Sequence, residues 1–225
     1  MQRYFDILFS CLALLILSPI LLVAIIFLKM TGEGEIFYLQ DRIGRDRKNF
    51  KLYKFATMLK NSPNMTTGTL TVNNDPRILP TGKFFRKTKI NELPQLLNII
   101  FGDMSIVGPR PLTKQSFASY DPCIQSALMQ VSPGLSGIGS IIFRGEEGIL
   151  TGETNPVDFY INTIAPYKGL LEKWYVEQRN LKTYFTVIFV TIWVVLIPKS
   201  TLAWRIFSEL PVPPQNLKLL LNYPF

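Results

Sequence analysis

Residues 7–28 read ILFSCLALLILSPILLVAIIFL, about 22 residues without a charge. A run of that length covers a hydrocarbon layer of about 30 Å as a helix, so it dictates a membrane-embedded element. A secretory signal is the first rival. The run exceeds the usual apolar core of such signals, and LKMTGEGEIF after it lacks a small-residue cleavage pattern. Ser18-Pro19 falls at the midpoint. Proline there removes a backbone donor and crowds the preceding turn, while a neighbouring serine hydroxyl can satisfy a freed group. Two geometries stay open on local sequence: a bent spanning helix, or a re-entrant one that returns to the face it entered.

The remainder is basic, with Lys48, Lys51, Lys54, Lys60, Lys83, Arg86, Lys87 and Lys89 following Lys29. By the positive-inside tendency it lies in the cytoplasm. Net charge is +8 over 225 residues, a balance that suits anionic headgroups or a phosphorylated ligand. Nucleic acid is the other polyanion, but no nucleic-acid motif accompanies the charge and none is expected as a partner. The chain has no histidine, which excludes Ser-His-Asp and Cys-His catalysis and most catalytic zinc sites. Cys11 and Cys123 are too few for a disulfide framework, favouring a reducing compartment. Chemistry is left to carboxylates, Lys/Arg, hydroxyls or a hard metal ion.

Residues 35–40 and 50–55 are aromatic and β-branched, separated by the polar stretch 41–48, and predict a hairpin. Residues 61–75 read as loop. Leu93, Leu96, Leu97, Ile100 and Phe101 share one helical face; Asn91 is placed as the N-cap, Pro94 in the first turn and Gly102 as the stop. A second helix opens at Pro166, with Tyr167, Leu170, Leu171, Trp174 and Tyr175 on one face. Residues 183–197 are apolar almost all round but short for a span, hence buried or lying in the interface. The tail, with Pro211, Pro213 and Pro214, is expected to be extended or loosely docked.

Lys83, Arg86, Lys87 and Lys89 precede the helix opening at Asn91, and Glu92 sits in its first turn. Cations, a helix N-terminus and one carboxylate suit a phosphate ester bridged by Mg2+. A capped helix with a solvated basic flank explains the same stretch. Arg110, locked between Pro109 and Pro111, has little backbone freedom, which favours a guanidinium aimed at phosphate. Other templates fail: Gly82-Lys83 is followed by Phe84, so there is no P-loop, and residues 137–142 lack the third glycine of a dinucleotide fingerprint.

The stretch DPRILPTGKFFRKTKINELPQLLNIIFGDMSIVGPRPL closely resembles the signature of the bacterial sugar transferases, the monotopic phosphoglycosyl transferases that begin lipid-linked glycan assembly. The likeness extends to Ser18-Pro19, YKFATM at 53–58, SPGLSGIGS at 132–140 and the Trp174-Tyr-Val-Glu segment, about residues 1 to 185. It implies transfer of a sugar 1-phosphate from a UDP-sugar to polyprenyl (undecaprenyl) phosphate, with Mg2+ and release of UMP. It implies an α+β, mainly helical fold with a re-entrant helix broken at Ser18-Pro19, a short hairpin and interfacial amphipathic helices. The expected division is a membrane helix (1–30), a transferase domain on the cytoplasmic face of the bacterial inner membrane (31–182), and a hydrophobic helix with a proline-containing tail (183–225). Arg86 and Arg110 match the family's phosphate contacts; Lys54, Lys83 and Arg144 complete the expected set. A second copy of the chain or downstream glycosyltransferases are the expected protein partners.

The chain departs from the family pattern at two positions. The usual Asp-Glu-Leu-Pro is Asn91-Glu92-Leu93-Pro94, and Ala56 stands where a basic residue is usual. An amide is a poor nucleophile and a weaker Mg2+ ligand. Glu92 then takes over as nucleophile, or holds Mg2+ while the lipid phosphate attacks directly, or the chain is an impaired member that binds and recruits. The retained cations favour an active enzyme centred on Glu92.

Overall fold

The computed structural model describes residues 1–31, 33–65, 71 and 74–224. Helix α1, Gln2–Met30, carries the apolar run and is long and apolar enough to cross a membrane. The expected break at Ser18-Pro19 does not end the helix, which continues through Pro19. Proline cannot donate to the Leu15 carbonyl, and the Ser18 hydroxyl donates to that same oxygen at 2.8 Å. The local defect is thus filled inside the helix. Both ends of α1 meet the rest of the chain. Near the start, buried Asp6 accepts from Ser105 Oγ (3.0 Å), Ile106 N (2.9 Å) and Tyr184 Oη (2.9 Å). Near the end, Ala24 and Leu28 pack with Phe55 and Phe85.

Strands β1 (Phe37–Ile43) and β2 (Asn49–Phe55) form the expected antiparallel hairpin, with Tyr38 opposite Lys54. Strand β1 starts two residues later and ends three later than residues 35–40, and β2 starts one earlier than residues 50–55, so Asp41, Arg42 and Ile43 are strand rather than turn. Part of loop 61–75 lies outside the described residues. Helix α2, Pro80–Lys87, presses against the hairpin's exit: a Cβ on Gly82 would stand 2.1 Å from the Thr57 carbonyl oxygen.

Residues Ile90–Glu92 form a 3-10 turn, and α3 spans Gln95–Phe101. Asn91 is therefore not an N-cap; Pro94 holds that position without a side-chain cap, and Asn91 is buried in the turn before it. Pro94 has no N–H and sets the start of the α-helical register one turn later than capping logic places it. Gly102 stops α3 at φ 99°, as expected. Buried Asn98 of α3 takes the Tyr53 N–H (2.9 Å) and donates to the Lys51 carbonyl (2.8 Å), locking β2 beside this turn.

Two short parallel strands, β3 (Ser105–Val107) and β4 (Gly134–Ser136), follow. They bring the Pro109-Arg110-Pro111 turn against the 132–140 segment, with Gly134 N–H on the Pro109 carbonyl at 2.7 Å. Backbone passes so close that a Cβ on Gly134 would lie 2.1 Å from Gly108 N.

After several short helices come α4 (Ala165–Glu177) and α5 (Leu181–Leu196). Helix α4 starts where Pro166 predicted, but Leu170 is exposed, and Lys168 and Glu172 are buried on its inner side. Helix α5 buries Tyr184, Val187, Val190 and Val194 and exposes Phe189, Ile192, Val195 and Leu196. Residues 183–225 do not form a core of their own: Tyr184, Val187, Trp204, Leu210, Leu217 and Leu221 join the cluster that holds Ile138, Ile164 and Leu171. The tail is accordingly docked, not loose. Trp204 Nε1 donates to the Leu221 carbonyl at 3.2 Å, and the Tyr167 hydroxyl to the Pro211 carbonyl.

Candidate active site

A cavity of about 810 Å³ collects Glu92, Asn91, Arg86, Arg110, Lys54 and Arg144, the expected site residues apart from Lys83. Lys83 is exposed on α2 and does not line it. Ser18 and Pro19 belong to α1, away from this cavity. The expected helix N-terminus is also absent as an anion site, since α3 begins at Gln95 and the turn before it presents side chains instead.

Glu92 is the electrostatic centre. Burial pushes its carboxyl up, but Lys54, Arg110, Lys89 and Arg86 together outweigh burial and hold it at about 2. Burial drives Lys54 the other way, to about 7, with Arg42, Arg110 and Arg86 adding to the fall and Glu92 opposing it. Arg110 is half-buried, and Glu92, Glu146, Tyr160 and Glu172 outweigh burial and raise it above the ordinary arginine value. At neutral pH the cavity therefore holds an ionised carboxylate inside a ring of cations, with one lysine poised near neutrality. Asn91 Oδ1 is buried here and has no hydrogen-bond partner. Arg86 is paired with Glu147 at 2.8 Å through Nη2.

Several functional residues escaped the sequence reading. Strand β1 turns Tyr38, Gln40 and Arg42 into the cavity at period two. Arg42 Nη1 donates to the Pro111 carbonyl at 2.8 Å, tying the hairpin to the Arg110 turn. Behind that turn, Glu172 accepts the Arg110 N–H at 3.2 Å, and burial raises its carboxyl to about 7. Lys168 pairs with Glu146 at the cavity wall. Lys168 and Glu172 are i, i+4 on the inner face of α4, and that polar pair beside Leu171 and Tyr175 was the available signal. Ala56 lines the cavity as a small buried residue, so the cation usual there is missing, while Arg42 and Lys89 add charge nearby.

Among the described residues no three acidic, cysteine or histidine side chains gather to hold a metal. Glu92 and the unpartnered Asn91 Oδ1 are nonetheless adjacent hard oxygen donors, a set that fits Mg2+, which takes one or two protein oxygens and fills its remaining positions with phosphate and water.

Residues 1–198 match the bacterial sugar transferase family. The chain is 37% identical over 164 residues to exopolysaccharide production protein ExoY of Sinorhizobium fredii, covering 67% of this chain and 72% of that one. It is 39% identical over 154 residues to the UDP-glucose:undecaprenyl-phosphate glucose-1-phosphate transferase of Klebsiella pneumoniae, covering 66% of this chain and 32% of that one. It is 33% identical over 211 residues to the undecaprenyl-phosphate galactose phosphotransferase of Salmonella typhimurium, covering 87% of this chain and 40% of that one. The chain thus spans less than half of either named transferase. With most of its length inside the match and the signature residues gathered in one cavity, it belongs to the bacterial sugar transferase family.

Proposed function

We propose that the protein transfers a sugar 1-phosphate from a UDP-sugar to polyprenyl (undecaprenyl) phosphate, releasing UMP and starting a lipid-linked glycan. The observation that carries this reading is the convergence of Glu92 with Lys54, Arg86, Lys89 and Arg110 on one cavity. A diphosphate brings two or more negative charges, and this ring supplies the cations to meet them. The names of the relatives that act on UDP-glucose or undecaprenyl phosphate support the same chemistry.

Asn91 cannot attack phosphorus, so the reactive oxygen belongs to Glu92. Held ionised, Glu92 attacks the sugar-bearing β-phosphorus of the UDP-sugar. The bond from that phosphorus to the bridging oxygen breaks, and UMP leaves with the electron pair. An oxygen of the lipid phosphate then attacks the same phosphorus, and the carboxylate departs unchanged. Arg110 and Arg86 stabilise the charge that builds on the phosphate oxygens, and Lys54 supplies a third cation while protonated. Mg2+, held by Glu92 and Asn91 Oδ1, would neutralise diphosphate charge when bound.

The proposed site sits on the cytoplasmic face of the inner membrane. Arg3, Asp6, Ala24 and Leu28 dock both ends of α1 on the same body of protein, with Leu14 packed on it between them, which supports a helix kept to one face of the bilayer. The test is UMP release from a panel of UDP-sugars with undecaprenyl phosphate and Mg2+. Turnover with at least one donor is expected. No release from any donor, with Asn91→Asp restoring it, identifies an impaired binding protein instead. An adduct of one sugar phosphate in the intact-protein mass marks the carboxylate route; its absence in an active protein marks direct attack by the lipid phosphate.

A further inference from the structure

Helix α5 presents three faces. Tyr184, Val187, Val190 and Val194 are buried in the core. Phe189 is exposed outside the cavity, and Trp193 beside it donates Nε1–H to Ser200 Oγ at 2.9 Å. Between them, Ile188, Thr191, Ile192 and Val195 form a wall of the cavity that holds Glu92 and Arg110. Exposure rises along this stripe, from half-buried Ile188 to Ile192 at 57% and Val195 at 53%. The other apolar side chains in the cavity wall, such as Leu112, Ile141 and Leu150, are buried or half-buried. No described residue of α1 lines the cavity, although α1 is the longer membrane element. Helix α5 is therefore where the ring of cations runs without interruption into an exposed apolar surface.

We propose that this stripe is the track for the acceptor lipid: the first isoprene units lie on Ile188, Ile192 and Val195 while the phosphate reaches Arg110 and Glu92. The proposal rests on the transfer reading above. From Ile188 to Val195 the helix rises about 10 Å, enough to seat the start of a prenyl chain. Its occupant must carry an apolar chain and a phosphate together, because the track ends among cations and not in a closed apolar pocket. Arg144 stands at the open end of the track, exposed at the cavity's edge with Nη2 on the Val195 carbonyl at 3.4 Å.

Ile192→Glu tests the track in the full chain in detergent micelles. A charge facing the prenyl chain should raise KM for undecaprenyl phosphate about tenfold. KM for the UDP-sugar should not move, nor should turnover of an acceptor with a single isoprene unit. Phe189→Glu puts the same charge on the outward face and should leave both values alone. An unchanged acceptor KM in Ile192→Glu overturns the proposal, as does an equal rise in Phe189→Glu, which would make the effect one of micelle partitioning. A diazirine-bearing polyprenyl phosphate reads the track without turnover: label within residues 181–197 supports it, and label confined to residues 2–30 refutes it. Label on α5 in a protein that releases no UMP would sink the transfer reading and leave the track standing.

Discussion

Glutamine at position 92 keeps the shape of the side chain and removes one charge from the middle of four cations. A carboxyl held at about 2 instead of its ordinary 4.5 is favoured in its ionised form by about 3 kcal/mol, an upper figure because the half-buried group keeps some solvent screening. A depressed carboxylate contributes its stability above the unfolded value and loses it as pH falls through the folded one. The penalty of Glu92→Gln should therefore be near 3 kcal/mol at pH 7 and less than half of that by about pH 3. Turnover should fall at least about a thousandfold, since the reacting oxygen is gone. UDP binding should move the opposite way and tighten, because Arg110, Arg86 and Lys89 lose an internal counter-charge. Lys54 limits that gain: Glu92 is what holds it up near 7, so its removal favours the neutral amine. The tightening should be small near pH 6 and grow by pH 8, where Lys54 is neutral with or without Glu92. Calorimetric titration with UDP and thermal unfolding across pH read both effects. Wild-type turnover in Glu92→Gln, or a stability gap equal at pH 7 and pH 3, would refute the convergence on which the site is built.

Lys54 should impose an alkaline limb on donor binding. As pH rises through about 7 the free site loses a cation, and KM for the UDP-sugar should climb about tenfold between pH 7 and 8.5; Lys54→Met should raise KM at pH 6 and flatten the profile. Asp6→Ala leaves three donors without their acceptor and should cost about 2–4 kcal/mol, with the start of α1 becoming open to protease. Gly82→Ala drives a Cβ into the Thr57 carbonyl, and a loss of roughly 1–3 kcal/mol in thermal unfolding is expected, together with lower activity as α2 carries Arg86 out of place.

The legible parts of the fold were those with a strong local period. The apolar run of α1 and the hairpin needed no tertiary knowledge, because each carries its period in consecutive residues. The stripe expected on α3 did not hold: Gln95, Leu96, Asn98 and Ile99 are the buried side chains, and Phe101 is exposed, because Asn98 is drawn inward by its bonds to β2. Asn91 failed for a physical reason. Its residue type satisfies a capping rule, but Pro94 three positions on is a better helix starter, and the chain inserts a 3-10 turn that turns Asn91 inward. The tail failed for another: Trp204, Leu210, Leu217 and Leu221 are spaced too irregularly to show a face, and only docking on α4 and α5 reveals one.

Strand β1 shows why the site was only half legible. Alternation is normally decoded as apolar inward and polar outward. Here Phe37 and Leu39 are exposed while Tyr38, Gln40 and Arg42 point into the cavity. The inversion follows from a charged interior: the polar side chains face the cavity, and exposed Phe37 and Leu39 are left to meet an apolar medium outside the chain. A sequence rule that assumes an oily core and a watery exterior assigns those residues to the wrong side. Arg42 falls in the stretch whose polarity predicts a turn, and Lys54 stands directly across from Tyr38 on β2. The same inversion predicts its own check: a polar substitution at Leu39 should spare folding and turnover in detergent but weaken binding to anionic vesicles, whereas Gln40→Leu should do the reverse.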